Sequence, residues 1–177
     1  TPKVRTAILS LMAEVDRLRR DLEENRSRIA YLERLADEDP LAPVANSRAF
    51  VRELSRMMSF AERYGTPSSL LFFDIDNMKN INDAFGHATG DAAIRFVAET
   101  LMNNIRESDT VGRLGGDEFG VILVNSDEKA AQEKGVQLAR AIEQGGLQAQ
   151  GKSIPLGITF GVFSFAGRSE EHTSELQ

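Results

Sequence analysis

The chain has 177 residues, a net charge of −6 and 41% apolar residues, which is enough for one domain with an appendage. The negative charge argues against a general nucleic-acid surface, and the absence of cysteine excludes disulfides and thiolate metal sites. There is no secretory segment and no apolar run of transmembrane length, so we expect a cytoplasmic domain. The first residue is Thr1 rather than Met, which is compatible with a piece of a longer protein; an upstream sensor or membrane segment stays open.

The first 38 residues carry a heptad repeat. Apolar residues recur in steps of four and three, which is the spacing of a coiled coil. Branched residues at a positions and leucine at d positions favour a parallel, two-stranded coil. The a positions are Ile8, Val15, Leu22 and Ile29, and the d positions are Leu11, Leu18, Asn25 and Leu32. The alternative is a single amphipathic helix that lies on the domain.

The charges beside this stripe favour a parallel homodimer. In that arrangement each g residue faces the e residue five positions on in the partner helix. The resulting pairs all have opposite sign: Glu14 with Arg19, Asp21 with Arg26, and Arg28 with Glu33. Exposed pairs contribute only about 0.2–1 kcal/mol each, so they select register and orientation more than they add stability.

The rest of the chain alternates helical and strand patterns. Pro40 and Pro43 end the first helix. Helices are predicted over 47–64 and 92–105, with a short helix and loop in "NMKNINDAFGH" and a further helix opened by Ser126. Strands are predicted in "LLFFDID", "TVGRL", "EFGVILV" and "IPLGITFGVFSF". Interleaved strands and helices indicate an α/β or α+β domain over 39–167, with one sheet covered by helices.

Two acidic clusters stand out from this pattern. Asp74 and Asp76 follow a buried strand, and Asp117 and Glu118 lie on a glycine turn beside another strand. Clustered carboxylates repel one another unless a cation lies among them, and oxygen ligands suit Mg²⁺. For "GGDE" alone, solvated acids at a turn would be the better interpretation. The two clusters together favour a metal site whose coordination is completed by phosphates.

The residues of these clusters belong to two longer motifs. "RLGGDEF" resembles the signature of the GGDEF family, the diguanylate cyclases, and "DIDNMKNINDAFGHATGD" resembles that family's nucleotide-binding stretch. The resemblance covers roughly residues 39–165. It implies a fold similar to the nucleotidyl cyclases and the polymerase palm, and condensation of two GTP into cyclic di-GMP and two pyrophosphates.

The resemblance also implies residue roles. The Mg²⁺ ligands would be the carboxylates of Asp74 and Asp117 and the backbone carbonyl of Ile75. Asp117 would also receive the 3′-hydroxyl proton, and Glu118 would support the metal. The residues implied to contact the nucleotide are Lys79 and Arg113 at the triphosphate, Asn82 and Asp91 at the guanine, His87 in the pocket wall, and Gly115 and Gly116, which let the backbone pass close to it.

A further motif, "RESD", resembles the family's product-inhibition site. Arg106 can donate two hydrogen bonds to a guanine edge or a phosphate, and Asp109 can accept hydrogen bonds from guanine. The alternative is a helix end with a solvated aspartate. Because each domain holds one GTP and the product is two-fold symmetric, two domains must face each other. The implied partners are therefore GTP, cyclic di-GMP and a second copy.

The chain departs from the family at both ends of the domain. "DPLAPVANSRAF" differs from the usual opening at Ala42, Pro43 and Ser47, and Met78 replaces a phenylalanine. "RSEEHTSELQ", residues 168–177, matches none of the family's final helix and strand and resembles translated adaptor sequence. We therefore expect an incomplete domain that lacks a phosphate-binding lysine. The strands "LLFF" and "GVILV" should then be partly uncovered, and the chain alone poorly active.

Two rival functions stay open at this point. One is a non-catalytic module that senses cyclic di-GMP through Arg106 and Asp109. The other is a coiled-coil interaction protein with an inert globular part. Lys79, Asn82 and the intact "GGDEF" favour the enzyme, because a receptor does not need them.

Overall fold

The computed structural model describes residues 2–149 and 151–166, without the side chain of Arg34. Contacts divide the chain into two units, Thr1–Asp37 and Glu38–Gln177. The tail predicted to be foreign, residues 168–177, lies outside the described residues. Among these residues, no helix has an apolar stretch long enough to cross a membrane.

The first unit is one uninterrupted helix, α1, Pro2–Asp37. At 1.5 Å per residue its 36 residues extend about 54 Å. The apolar side chains at the predicted a and d positions are between 45% (Val15) and 66% (Leu11) exposed. The helix therefore presents a continuous apolar stripe to the solvent.

Charged side chains of α1 pair along the helix. The Arg17 guanidinium donates to Glu14 at 2.6 Å and lies 3.9 Å from Asp21. The hydrogen bond from Arg17 lowers the pKa of the Glu14 carboxyl. Glu14 and Asp21 are the residues predicted to meet arginines of a partner helix, so a dimer would exchange intrahelical pairs for interhelical ones.

In its described residues, the second unit is a mixed domain of four helices and two antiparallel sheets. Its helices are α2 Ser47–Tyr64, α3 Met78–Phe85, α4 His87–Asn103 and α5 Glu128–Gly145. Its strands are β1 Ser68–Ile75, β2 Thr110–Arg113, β3 Glu118–Leu123, β4 Leu147–Ala149, β5 Lys152–Ile154 and β6 Ile158–Phe165. The main sheet has the order β2-β3-β1-β6, and β4 pairs with β5. The prediction of one sheet flanked by helices is thus confirmed.

Helices cover the two faces of the main sheet unequally. On one face Leu71, Phe73 and Val121 are fully buried with α4 and α5. On the other face the Phe50 ring of α2 lies on Gly112 and Gly120, where any Cβ would overlap it. The glycines of neighbouring strands therefore make room for α2 above β2 and β3.

Exposure was predicted for two strands, and the structure confirms it for only one. In β1, Phe72 is 38% exposed, and in β6, Phe163 is 59% exposed. In β3, however, Val121 and Ile122 are fully buried, so that part of the prediction is wrong. Val121 is covered on one face by α4 and α5, and Ile122 is covered on the other face by Phe50 of α2, whereas Phe72 and Phe163 stay exposed.

Element boundaries differ from the sequence prediction, most clearly in three places. The cap of α5 is Asp127, whose carboxylate accepts from the Ala130 amide at 2.8 Å, and not Ser126. Helix α4 begins at His87, five residues before the predicted start. The predicted last strand is interrupted at 155–157, so that β5 and β6 belong to different sheets. The hairpin of β4 and β5 was missed because three-residue strands leave no detectable alternation.

Candidate active site

Polar side chains form a row across three strands at one end of the main sheet. Asp74 of β1 is in register with Glu118 of β3 on one side and with Thr159 of β6 on the other. Residues directly opposite in antiparallel strands point to the same face, and like charges there are destabilising. The row therefore places two carboxylates side by side, an arrangement that a cation would stabilise.

The glycine turn before β3 brings Asp117 to the end of β1. The Ile75 amide donates to the Asp117 carbonyl at 3.1 Å. Gly115 is held by the Glu118 carbonyl, and a Cβ at Gly115 would lie 2.5 Å from a Glu118 carboxylate oxygen. The Glu118 side chain thus lies against Gly115, and the turn joins Asp74, Ile75, Asp117 and Glu118 at one edge of the sheet.

The oxygen atoms at this edge suit Mg²⁺ provided that a phosphate ligand helps to complete its coordination. Within 2–149 and 151–166, no three side chains of His, Cys, Asp or Glu lie close enough together to hold a metal. Mg²⁺ characteristically binds one or two carboxylates and completes its octahedron with waters, carbonyls and phosphates. The predicted set of Asp74, Asp117 and the Ile75 carbonyl has that composition, so the edge suits a metal that arrives with a phosphate ligand.

The stretch between β1 and α4 forms a helix–turn–helix around Asn82. Asn82 Oδ1 is buried and has no hydrogen-bond partner among the described residues. It lies against Gly90 so closely that any Cβ there would overlap it. Gly86, at φ +86°, makes the turn between α3 and α4. The geometry leaves a buried acceptor without a donor one residue from Asp91 in the packing against Gly90, and such an unsatisfied group is a candidate for ligand recognition.

Lys79 and His87 begin the two helices of this segment. Lys79 lies in the first turn of α3 and His87 is the first residue of α4, and both side chains are exposed. Neither forms an ion pair within the described part of the chain. Their roles at the triphosphate and in the pocket wall stay predictions.

Arg113 has partners that the sequence did not reveal. Its guanidinium forms an ion pair with Asp39 at 3.1 Å, with the side chains only 16% and 12% exposed. Its remaining N–H groups donate to the Gly116 carbonyl at 2.8 and 3.2 Å. In this arrangement Arg113 fixes the glycine turn and its charge is balanced by Asp39, so a role at the triphosphate stays a prediction.

Arg106 and Asp109 lie at the opposite end of β3 from Glu118. The two Asp109 oxygens accept from the backbone amides of Arg106 and Val124 at 3.0 and 3.1 Å. At about 3.4 Å per residue, Val124 is roughly 20 Å along the strand from Glu118. The motif is therefore separate from the acidic edge, and Asp109 also has a structural task.

Arg106 and Asp109 line a cleft of about 300 Å³. Its other wall includes Lys134 and Gln137 of α5, whose side chains are linked by a hydrogen bond of 3.2 Å. Arg106 and Lys134 give this cleft two cations, and Asp109 and Glu133 give it two carboxylates. Lys134, like Asp39 and Thr159, was missed from the sequence, because the packing of distant elements places it at the site.

Comparison with known proteins supports one family. The family described as "Diguanylate cyclase, GGDEF domain" matches residues 36–177. Diguanylate cyclase DosC of Escherichia coli K12 is 35% identical over 133 residues, 75% of this chain and 29% of the relative. Diguanylate cyclase A of Treponema denticola is 39% identical over 97 residues, 55% of this chain and 26% of that protein. The chain thus spans less than a third of these relatives.

Solved structures show the same architecture. The coiled coil and GGDEF domain of DgcB from Caulobacter crescentus, in complex with c-di-GMP, matches with a TM-score of 0.78 and 27% identity, covering 88% of this chain and 83% of that one. The GGDEF domain of PA1120 from Pseudomonas aeruginosa matches with a TM-score of 0.65 and 32% identity, covering 72% and 75%. Since the family match takes in well over half of its residues, the chain belongs to the GGDEF family of diguanylate cyclase domains.

Proposed function

We propose that the chain is the catalytic part of a diguanylate cyclase, which condenses two GTP into cyclic di-GMP and two pyrophosphates. The observation that carries the proposal is the acidic edge, where the signature turn places Asp117 against Ile75 beside the register pair of Asp74 and Glu118. If these acids were only solvated residues at a turn, nothing would require two separate strands to bring them together.

In the proposed reaction, the 3′-hydroxyl of each GTP attacks the α-phosphorus of the other, and the two attacks proceed in the same way. A P–O bond forms, the bond to the leaving pyrophosphate breaks, and the hydroxyl proton passes to the Asp117 carboxylate. A bound Mg²⁺ would neutralise phosphate charge, with Asp74, Asp117 and the Ile75 carbonyl as its protein ligands. The protein contributes position and charge more than covalent chemistry, as in other phosphoryl transfers.

Asn82 supports guanine as the base. Its buried Oδ1 has no donor among the described residues, and the N1–H and N2–H groups of guanine are donors. Asp91, one residue beyond the glycine that packs on Asn82, would accept the second of them. An unmade hydrogen bond at a buried acceptor costs about 1–3 kcal/mol, which a guanine edge would recover.

Assembly and feedback complete the proposal. Two domains would face each other across a two-fold axis, paired by a parallel coil of α1 helices, whose apolar stripe is exposed in the single chain. Cyclic di-GMP would bind the cleft at Arg106 and inhibit the enzyme. We expect these events in the cytoplasm, where GTP is available.

The rival function is a receptor for cyclic di-GMP. It is favoured by the distance between the Arg106 cleft and the acidic edge, since the cleft could bind without catalysis. The test is to incubate the full-length parent protein with GTP and Mg²⁺ and to measure cyclic di-GMP by mass spectrometry, because we expect the chain alone to be poorly active. Product formation supports the enzyme. Tight cyclic di-GMP binding with neither product nor GTP binding would favour the receptor.

A further inference from the structure

We propose that Thr159 and Asp76 form a positioning pair, which holds the peptide group between Ile75 and Asp76 so that the Ile75 carbonyl faces the metal side of the acidic edge. The inference rests on the proposed metal site. It assigns a task to two residues that touch neither phosphate nor base.

The first step is the direction of the Ile75 carbonyl. In an extended strand, a residue's N–H and C=O point to the same neighbouring strand. The Ile75 amide donates to Asp117, so the Ile75 carbonyl also faces the glycine turn. This is the direction in which a backbone ligand must point to share a metal with Asp117.

The second step is what keeps that peptide group in place. The Asp76 amide belongs to the same planar group as the Ile75 carbonyl, and in a trans peptide the two point in opposite directions. This amide donates to the Gly157 carbonyl at 2.9 Å on the β6 side. One hydrogen bond toward β6 therefore orients the carbonyl toward β3.

The third step is the side chain that secures this hydrogen bond. Thr159 Oγ1 donates to Asp76 Oδ1 at 2.9 Å, and Asp76 Oδ2 lies where a Cβ of Gly157 would come within 2.8 Å. One carboxylate oxygen of Asp76 thus accepts a hydrogen bond from β6, and the other lies close to Gly157. Asp76 is placed to anchor the strand end, and Asp74, one pleat earlier, is left to bind metal.

Four variants of the chain separate this task from direct metal binding. Thr159→Val removes the hydroxyl and keeps the β-branched shape, whereas Thr159→Ser keeps the hydroxyl. Asp76→Asn keeps an acceptor for Thr159 but removes the charge. Thr110→Val is the matched control, because Thr110 lies on the same face at the far end of the sheet.

The probe is Mn²⁺, followed by electron paramagnetic resonance, in the presence of a GTP analogue with a methylene bridge between the α- and β-phosphates. Loss of an outer positioning contact typically weakens metal affinity about 10–100-fold. We expect about tenfold weaker Mn²⁺ binding for Thr159→Val, and binding within about threefold of the wild type for the other three variants. Hydrogen exchange should accelerate at the Asp76 amide in Thr159→Val alone.

The outcomes distinguish the two levels of the proposal. If the unsubstituted chain binds the GTP analogue but takes up no Mn²⁺ when the ion is present, the metal site and this inference both fail. If it binds Mn²⁺ and Thr159→Val binds equally well, only the positioning pair is overturned. If Asp76→Asn loses Mn²⁺ while Thr159→Val does not, Asp76 is a direct ligand and the inference is again wrong.

Discussion

Asp117 is the residue on which the most proposed roles fall, since it would hold metal and receive a proton. We expect Asp117→Ala to lose more than the roughly 10²–10³-fold in turnover that removal of one transition-state contact costs. The measurement is the initial rate of cyclic di-GMP formation by the complete parent protein. Asp127→Ala is a matched control, because Asp127 caps α5 away from the edge. Near-normal turnover in Asp117→Ala would refute the assignment.

Arg106 and Asp109 should respond differently to substitution. We expect Arg106→Ala to weaken inhibition by added cyclic di-GMP, because its exposed side chain lines the cleft. Asp109→Ala should also lower the melting temperature, since it leaves the amides of Arg106 and Val124 without their acceptor. The Val124 amide is partly buried, so leaving it unpaired costs about 1 kcal/mol, at the low end of the range for buried donors, whereas the exposed Arg106 amide can bond to water. If added cyclic di-GMP inhibits Arg106→Ala as strongly as it inhibits the unsubstituted protein, the motif is only a structural turn.

The sequence predicted the acidic edge but could not show which polar residues support it. Asp74 and Asp117 could be named because their motifs are local. The partner of Arg113 is Asp39, 74 positions away, and no local pattern indicates that pair. Thr159 likewise reaches Asp74 only through the β1–β6 register. Such contacts depend on long-range packing.

The arm before α2, residues 38–46, is the element most dependent on one ion pair. Asp39 accepts from Arg113 and from the amides of Leu41 and Ala42. We expect Asp39→Asn to keep the turn but lose the pair, at a cost of roughly 2–3 kcal/mol, below the range for fully buried pairs because both side chains keep some exposure.

Asp39→Ala is the companion variant. It also removes the acceptor for the two amides, so we expect a larger loss of stability than in Asp39→Asn. Urea unfolding of both variants measures the difference. Equal stability of Asp39→Asn and the unsubstituted chain would show that the ion pair contributes nothing.

The charges of α1 allow a matched test of the parallel coil. In the double variant Glu14→Lys, Asp21→Lys, the new lysines would face the partner's Arg19 and Arg26. We expect sedimentation to show a weaker dimer for this variant. Lysine at Asp16 and Glu23 makes the same charge change at b positions, which face outward. If both double variants dissociate equally, net charge and not pairing controls assembly. If the peptide of residues 1–38 alone sediments as a monomer at about 100 μM and above, the coil itself is refuted.

Elements with strong periodicity were predicted well and short ones were not. The heptads of α1 and the pattern of α2, Ser47–Tyr64, match the structure. The start of α4 was missed because its first turn, "HATGD", carries a glycine whose reason is tertiary: Gly90 makes room for Asn82. Helix propensity counts glycine as unfavourable, and a prediction from propensity contains no information about tertiary packing.

At the scale of the whole molecule, the chain has a covered sheet face and a partly open one. The fold class followed from the alternation of strands and helices, but the order β2-β3-β1-β6 depends on long-range pairing that no local pattern encodes. That the chain alone is poorly soluble or molten stays a prediction. The open positions Phe72 and Phe163 are the reason to expect it.

Two phenylalanines of β6 test this expectation. We expect Phe163→Ser to raise the soluble yield with stability within about 0.5 kcal/mol, because the ring is 59% exposed. Phe160→Ser should cost about 3 kcal/mol, since that ring packs on Phe73 and covers Gly135. Light scattering and thermal unfolding measure both. A Phe163→Ser variant that unfolds as readily as Phe160→Ser would mean that the open face is covered in solution.

Strand β6 has a consequence for storage of the protein. In the described part of the chain it pairs only with β1, so its other edge offers free amides and carbonyls. Its sequence, ITFGVFSF, contains neither charge nor proline, and such a strand is a template for fibril growth. Concentrated samples should therefore form fibrils after a lag that shortens on seeding. That lag would be independent of α1, because the growing contact is backbone pairing and not the heptad stripe.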